Sequence, residues 1–248
     1  LLNYIYKSSL SNYRFIVSSN LSKHNCNRGK KIIDDEQELH NYIAMYMPMH
    51  IGKLFRMFDN VSSKLFSYSS FNIWDWGCGQ GLATLAFLEY ARINSYNLNV
   101  NKITLIEPSR LAINNAEAFI KDSEVYKSKN FQLNLLIKDL NSVENDNFLM
   151  EEYPEIHFFS NILDVDGIDL NHIKNLLEKN DNEKIICVVS PNYYTARKNI
   201  EEFFELFENT KTNLYSNNDD LKIYCRDMIH KRDRNRRATN YTNVYQLN

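Results

Sequence analysis

Residues 75–81 of the chain read Asp75-Trp76-Gly77-Cys78-Gly79-Gln80-Gly81. A short apolar run, Phe71 to Trp74, precedes them and predicts a buried strand. A longer run, Leu82 to Leu88, follows them and predicts a helix. Strand, glycine-rich turn and helix come in the order that a nucleotide-binding α/β unit requires. Glycine lets the backbone turn sharply, and it lets a ligand lie against the main chain where a Cβ atom would collide. We call residues 77–81 the glycine turn.

Strands and helices alternate after this turn, which predicts an α/β fold with a doubly wound, mostly parallel sheet. The predicted strands are Asn72–Trp76, Lys102–Ile106, Phe131–Ile137, Ile156–Phe159 and Lys184–Val189. The predicted helices are Leu82–Arg92, Arg110–Lys121, Asp169–Lys179 and Ile200–Phe207. The C-terminal third lacks helical spacing but is rich in β-branched and aromatic residues. It predicts two or three antiparallel strands that close the sheet, at Asn213–Tyr215, Leu221–Ile229 and Asn240–Leu247.

The segment before the first strand has a different character. Residues 1 to about 33 are rich in Ser and Asn, and we expect a loosely ordered arm. A helix is predicted from Asp34, where acids suit the helix dipole, to Asp59. Pro48 predicts a break in it, because proline cannot donate to the preceding turn. A second helical segment then runs from Met49 to about Phe66. We expect residues 1–70 to form an arm and helical lid, and residues 71–248 to form the main domain.

The spacing of the glycines distinguishes two classes of nucleotide site. Dinucleotide sites use G-x-G-x-x-G, whereas this chain has D-x-G-x-G-x-G. That pattern resembles motif I of the class I S-adenosylmethionine (SAM) dependent methyltransferases. The resemblance covers roughly residues 71–210, and the C-terminal strands are compatible with it. It implies a class I methyltransferase fold and SAM as cofactor, with a cofactor site that includes Asp75, Gly77, Cys78, Gly79 and Gly81.

An acid ends the second predicted strand. At that position in a doubly wound sheet, Glu107 lies beside the glycine turn and can accept hydrogen bonds from both ribose hydroxyls. It follows Gly81 by 26 residues, near the separation of about 20 that dinucleotide sites show. Its neighbour Pro108 is assigned to the same site. The alternative is that Glu107 only caps the next helix.

Polar residues also follow the third and fourth strands. By the resemblance, Asp139 meets the adenine amino group and Leu140 packs on the adenine ring; the alternative is a solvated aspartate in a turn. Ligands of open α/β sheets bind outside the carboxyl ends of the strands. Ser160 and Asn161, after the fourth strand, are therefore placed to face the sulfonium and the methyl acceptor.

The chain departs from two acceptor-specific patterns of the methyltransferases. Enzymes that methylate amino groups often carry (D/N/S)-P-P-Y after the fourth strand, where this chain continues from Ser160 to Leu163 without proline. A similar stretch, Ser190-Pro191-Asn192-Tyr193-Tyr194, follows the fifth strand instead. Either a strand has been miscounted or the likeness is accidental, and we favour accident. No Pro-Cys pair of the kind that attacks cytosine C5 is present.

Two further features suggest acceptor-side roles. Tyr46 and His50 are spaced i, i+4 in the predicted lid, where histidine could act as a base and tyrosine could stack on an acceptor. The alternative is an aromatic core stripe with a satisfied histidine. The run from His230 to Arg237 is strongly basic and is expected to be a protruding hairpin loop. Phosphate contacts are expected from Lys231, Arg232, Arg234, Arg236 and Arg237. The alternatives are a solvated loop and a contact with a protein partner.

Composition limits the function classes. The 248 residues carry a net charge of −2, so binding of nucleic acid by overall charge is excluded.

The four cysteines, Cys26, Cys78, Cys187 and Cys225, form no C-x-x-C pair. We expect buried free thiols, a reducing and cytoplasmic location, and no metal site. No apolar run approaches the roughly 18 residues that a membrane helix needs, and no signal-peptide pattern is evident. The first residue is not Met, so we expect a piece of a longer chain.

The leading hypothesis is an active SAM-dependent methyltransferase, with RNA or DNA slightly ahead of protein or a small molecule as acceptor. SAM carries an activated methyl group, so the protein mainly supplies positioning and exclusion of water. The rival hypothesis is a non-catalytic module of the same fold that serves as a binding or scaffold subunit. A dehydrogenase comes third, because the glycine spacing does not fit it.

Overall fold

The computed structural model describes residues 32–129, 131–147, 152–207, 209–227 and 232–247. Within these ranges seven strands form one sheet and two more form a separate hairpin. The strands are β1 (Phe71–Trp76), β2 (Val100–Ile106), β3 (Gln132–Leu136), β4 (Glu155–Ser160), β5 (Lys184–Ser190), β6 (Lys211–Asn217), β7 (Leu221–Asp227), β8 (Arg232–Ala238) and β9 (Tyr241–Leu247). None of the helices in these ranges is long and apolar enough to span a bilayer.

The strand order in the large sheet is β3-β2-β1-β4-β5-β9-β6. Strands β1 to β5 pair in parallel, and β9 runs antiparallel to both of its neighbours, β5 and β6. The sheet therefore confirms the predicted doubly wound fold with antiparallel C-terminal strands, of the class I methyltransferase type. The order reverses between β1 and β4, which creates a crevice outside their carboxyl ends, where ligands of such sheets bind.

Helices cover both faces of the sheet. They are α1 (Glu36–Leu65), α2 (Leu82–Ile93), α3 (Arg110–Asp122), α4 (Glu124–Lys129), α5 (Leu170–Leu177) and α6 (Tyr194–Glu205). One buried cluster joins Phe58 of α1 and Phe87 of α2 to Phe158 of β4. A second cluster joins Trp74 and Trp76 of β1 to side chains of α5 and α6. Every residue of β1 and of β5 is buried, as expected of central parallel strands covered on both faces.

The first helix differs from the prediction in one respect. It begins where the acids predicted, with Asp35 as N-cap accepting a hydrogen bond from the Glu38 backbone N–H at 2.9 Å. It then continues through Pro48 to Leu65 without a break. Proline removes one backbone donor, but Ile51 and Leu54 just beyond it are almost fully buried in the core. The predicted break at Pro48 is therefore wrong, because tertiary packing outweighs one lost hydrogen bond.

The C-terminal region corrects two further predictions. From Arg232 onward the basic run is not a loop: Arg232–Ala238 is strand β8, which pairs antiparallel with β7 in a sheet of its own. Consequently β6 and β9 close the main sheet, while the β7–β8 hairpin lies beside α1. Helix α6 begins at Tyr194, whereas the prediction began it at Ile200. The largely polar residues that follow Tyr194 form its first turn. Residues 1–31 of the predicted arm lie outside the described residues, whereas Ile33 at its end is buried in a cluster with Leu39 and Ala112. The division of the chain at residue 70 stays a prediction.

Candidate functional site

The glycine turn leaves the carboxyl end of β1 and enters α2 at the crevice. Gly77, Gly79 and Gly81 all have left-handed backbone conformations, with φ of 60°, 53° and 71°. The turn is fixed by backbone hydrogen bonds, from Cys78 N–H to the Ile106 carbonyl at 2.9 Å and from Gly81 N–H to the Cys78 carbonyl at 2.8 Å. The Cys78 side chain is buried, so only its main chain borders the turn, and its contact with a cofactor stays a prediction.

The three glycines face different surroundings. A Cβ atom on Gly77 would lie 2.5 Å from Ile162 Cγ1, and one on Gly81 would lie 2.9 Å from the Ala116 Cβ. A Cβ atom on Gly79 would meet nothing within 4 Å. Gly77 and Gly81 therefore permit close packing within the protein, whereas Gly79 borders open space. Of the three, Gly79 is the glycine whose missing side chain leaves room for a ligand.

Asp75 lies beneath the turn. Its Oδ2 accepts hydrogen bonds from the Thr84 hydroxyl at 2.7 Å and from the Thr84 backbone N–H at 3.1 Å. The other oxygen, Oδ1, is buried and has no hydrogen-bond partner among the described residues. Burial raises the pKa of Asp75 to about 7, although the bonds from Thr84 oppose the rise. Asp75 thus ties the end of β1 to the first turn of α2, and its direct contact with a cofactor stays a prediction.

Glu107 joins the end of β2 to the glycine turn. Its Oε2 accepts a hydrogen bond from the Gly79 N–H at 3.0 Å, and its Oε1 accepts one from the Ser109 N–H at 2.9 Å. Ser109 is the N-cap of α3, so Glu107 also supports the start of that helix, as the alternative interpretation expected. Burial raises the pKa of Glu107, while the two backbone donors lower it. Pro108, between these contacts, is half-buried.

Asp139 and Leu140 follow β3 at the same edge of the sheet. The exposed Asp139 carboxylate accepts hydrogen bonds from the Ser142 N–H at 3.1 Å and the Ser142 hydroxyl at 2.7 Å, and so caps a short 3-10 turn, Leu140–Ser142. Leu140 is only 5% exposed and packs into the core with Val143. The neighbouring Ile137 is 36% exposed. The adenine contacts of Asp139 and Leu140 stay predictions, and Ile137 offers more free apolar surface to a ring than Leu140 does.

Asn161 lies directly after β4, across the crevice from the glycine turn. Its backbone has a positive φ of 57°, a conformation that costs energy for a residue with a side chain. Its Nδ2 donates to the Ser160 hydroxyl at 3.0 Å, and its Oδ1 accepts from Lys53 Nζ at 3.0 Å. The structure therefore brings both predicted β4 residues to the crevice. Lys53, on α1, was not predicted.

The predicted lid residues also lie on α1, one or two turns before Lys53. The Tyr46 ring lies 6.2 Å from the ring of His50 and 5.1 Å from that of Tyr42, which forms the aromatic stripe that the alternative expected. His50 is 7% exposed, and its Nδ1 has no hydrogen-bond partner in the described part of the chain. Burial and the charge of Lys53 hold the pKa of His50 well below its ordinary value. His50 is thus a neutral, incompletely satisfied histidine next to Asn161.

Two residues from separate loops complete this cluster. Asp164, after β4, is 5% exposed and accepts a hydrogen bond from the hydroxyl of Tyr193. Tyr193 belongs to the stretch that resembles (D/N/S)-P-P-Y, and that stretch follows β5. The strand count was therefore correct, yet Tyr193 reaches the loop after β4. No short motif marks Lys53, Asp164 or Tyr193 as a group, because three different elements bring them together.

The basic run is distant in sequence from the residues that line the crevice, but its strand β8 lies beside α1. Of its predicted phosphate-binding residues, Arg232, Arg234, Arg236 and Arg237 belong to β8, and Lys231 lies outside the described residues. An ion pair between Arg56 and Asp219, 3.8 Å apart, links α1 to the segment that leads into β7. No group of three or more His, Cys, Asp or Glu side chains within the described ranges could hold a metal ion.

Comparison with known proteins finds no matching family model and no matching curated protein. Among solved structures, the chain is similar to the plantazolicin methyltransferase BpumL in complex with a monoazolic desmethylPZN analog and SAH, at 20% identity and a TM-score of 0.44. That match covers 69% of this chain, which spans 58% of the length of the BpumL chain. A BpumL complex with a triazolic analog matches at 13% identity over 79% and 78% of the two chains, with a TM-score of 0.48. A structure concerned with the conversion of a disulfide bond into a thioacetal group during echinomycin biosynthesis matches at 11% identity over 84% and 90%, with a TM-score of 0.49.

Proposed function

We propose that the chain is a SAM-dependent methyltransferase whose methyl-donor site lies at the crevice between β1 and β4. The hydrogen bond between Glu107 and Gly79 carries this proposal. It joins the carboxylate expected to bind the ribose to the glycine that borders open space. Both residues lie at the carboxyl edge of the sheet, where ligands of doubly wound folds bind.

The bonding capacity of Glu107 fits a ribose. A carboxylate has about four acceptor sites, and the Glu107 oxygens use one each on the N–H groups of Gly79 and Ser109. The remaining capacity can accept both hydroxyls of a ribose diol. The two backbone donors also hold the carboxylate in one orientation, so little conformational entropy is lost when a ligand binds.

The sheet supports a SAM site better than a dinucleotide site. A dinucleotide fold consists of two mononucleotide-binding halves with parallel strands in the order 3-2-1-4-5-6. Here the position after β5 is occupied by β9, which runs antiparallel. The half of the sheet that contains β4, β5 and β9 therefore does not repeat the parallel mononucleotide-binding unit that a second nucleotide would need. The strand directions therefore agree with the glycine spacing, which separates the same two classes of site.

For the acceptor we propose RNA or DNA, contacted through Lys231, Arg232, Arg234, Arg236 and Arg237. Support comes from the concentration of positive charge in a chain whose net charge is −2. The backbone of β8, which carries four of these residues, lies beside α1, and α1 carries His50 and Lys53. A protein partner at the same strand is the alternative. A reducing, cytoplasmic location belongs to the same proposal and is supported by the buried free thiols of Cys78 and Cys187.

Titration calorimetry with SAM, S-adenosylhomocysteine (SAH) and NAD tests the methyl-donor site. We expect SAM and SAH to bind and to raise the thermal unfolding midpoint, because a ligand specific for the native state stabilises it. NAD should do neither. Binding of NAD alone would support a dehydrogenase. Failure of all three ligands to bind a folded protein would contradict the proposal and favour the scaffold hypothesis.

A further inference from the structure

The side chain of Lys53 is buried at the crevice, close to the glycine turn. It is 3% exposed, and its Nζ donates to Asn161 Oδ1 at 3.0 Å. The next residue, Ile162, packs directly against Gly77 of the turn. Lys53 therefore reaches from α1 to the point where the loops after β1 and β4 meet.

The surroundings of Lys53 favour its neutral form. Burial lowers the pKa of Lys53 to about 7, although the charge of Asp164 opposes the change. Asp164 also accepts a hydrogen bond from the Tyr193 hydroxyl, which spreads its negative charge. His50, on the same helix, is held neutral chiefly by its own burial, so it adds no negative charge that would favour the ammonium form of Lys53. As an ammonium ion, the buried Lys53 would have one hydrogen-bond acceptor and one nearby carboxylate, which Tyr193 also engages. These contacts offset only part of the cost of burying a positive charge.

We propose that Lys53 is the proton acceptor at the reactive end of the methyl-donor site, and that the methyl acceptor presents an N–H or O–H group there. This inference rests on the proposed function. SAM supplies a methyl group whose C–S bond breaks, with its electron pair passing to sulfur, as the acceptor's lone pair bonds to carbon. The proton that the acceptor loses passes to Lys53 Nζ, which becomes an ammonium and later releases the proton to water. Asn161 positions the amine through its Oδ1.

The charge of SAM provides a test that needs no methyl acceptor. SAM carries a positive sulfonium and SAH a neutral thioether, so a protonated Lys53 repels SAM but not SAH. We expect the ratio of the Kd of SAM to that of SAH to rise roughly tenfold in the wild type as the pH falls below about 7. In Lys53→Met the rise should be absent, and in Lys53→Arg the ratio should keep its acidic value throughout.

Controls separate Lys53 from other groups that titrate in this range. Lys64→Met removes a lysine from the same helix that pairs instead with Glu183, and it should behave as the wild type. Asp75→Asn, at a residue of the candidate site itself, removes another described group whose pKa is about 7. Whatever its effect on the two affinities, the rise in their ratio at low pH should persist. Equal ratios in wild type and Lys53→Met at every pH would overturn the proposal. Failure of both SAM and SAH to bind would overturn the proposed function itself.

A measurement on the wild type alone covers the case in which the variants do not fold. Pulse acetylation followed by mass spectrometry reports the pH at which the Lys53 amine becomes reactive. We expect saturating SAM to move that midpoint to lower pH relative to saturating SAH, because the sulfonium disfavours the ammonium. An identical midpoint with the two ligands would overturn the proposal.

Discussion

The carboxylate of Glu107 accepts a hydrogen bond from the backbone N–H of Gly79 at 3.0 Å and so ties the end of β2 to the glycine turn after β1. The two residues are 28 positions apart in the chain. Their contact fixes the distance between the Glu107 carboxylate and the backbone at Gly79, which borders open space at this edge of the sheet. A ligand with a diol at one end and a polar group at the other can bridge the two.

Replacement of Glu107 should weaken SAM binding. A charged hydrogen-bonding group is worth about 1.5–3 kcal/mol, so Glu107→Ala should raise the Kd of SAM roughly ten- to hundredfold. Glu107→Gln, which keeps one acceptor oxygen, should have a smaller effect. Calorimetry on folded variants measures both. The matched control is Glu178→Ala, which removes a glutamate that ends α5 and pairs with Lys174. Unchanged SAM affinity in Glu107→Ala would remove Glu107 from the site.

Substitution of the glycines should separate ligand space from protein packing. Gly79→Val should abolish SAM binding because the side chain fills the open space, while its left-handed backbone costs about 1–2 kcal/mol of stability. Gly81→Ala should cost more stability, since its Cβ would lie 2.9 Å from that of Ala116. Urea unfolding and calorimetry together distinguish the two effects. If Gly79→Val binds SAM with normal affinity, the ligand does not lie against this turn.

Local patterns predicted the parts of the site that depend on neighbours in sequence. The glycine turn and Glu107 each lie at the end of a strand with clear apolar periodicity, so the fold places them without further information. The Lys53–Asn161 contact could not be predicted in this way. It joins residues 108 positions apart, and a lysine on an amphipathic helix is ordinarily solvated.

Two errors have a common physical cause. Pro48 and the basic run were interpreted by local preference, which disfavours proline inside a helix and charged residues inside a strand. Packing on the core holds α1 together across Pro48, and pairing with β7 makes a strand of the basic run. The continuous helix and the basic strand both depend on contacts with other elements, which the local sequence pattern does not show.

The stability of the protein should depend on the ionisation of Asp75. Its pKa is raised from 3.8 to about 7 in the folded state, so the folded state binds the proton more tightly than the unfolded state. The contribution of Asp75 to the free energy of unfolding should therefore fall as the pH rises from about 4 to about 7. The loss should be of the order of 2–4 kcal/mol. Asp75→Asn keeps an acceptor for Thr84 and should remove this dependence. Urea unfolding of both proteins across this range measures it, and parallel pH profiles would contradict the assignment.

The basic strand decides the class of acceptor. Replacement of Arg232, Arg234, Arg236 and Arg237 by Ser should weaken binding to RNA or DNA. Plots of log affinity against log salt should flatten by about 0.7–0.9 for each phosphate that the variant no longer neutralises. SAM affinity should not change, because the proposed methyl-donor site lies at the carboxyl edge of the main sheet and β8 belongs to a separate two-stranded sheet. Fluorescence anisotropy with single- and double-stranded probes, at several salt concentrations, makes the measurement, and calorimetry with SAM confirms that the variant is intact. A wild type without salt-dependent affinity for any of these probes would exclude nucleic acid as the acceptor and direct the search to a protein partner at the same strand.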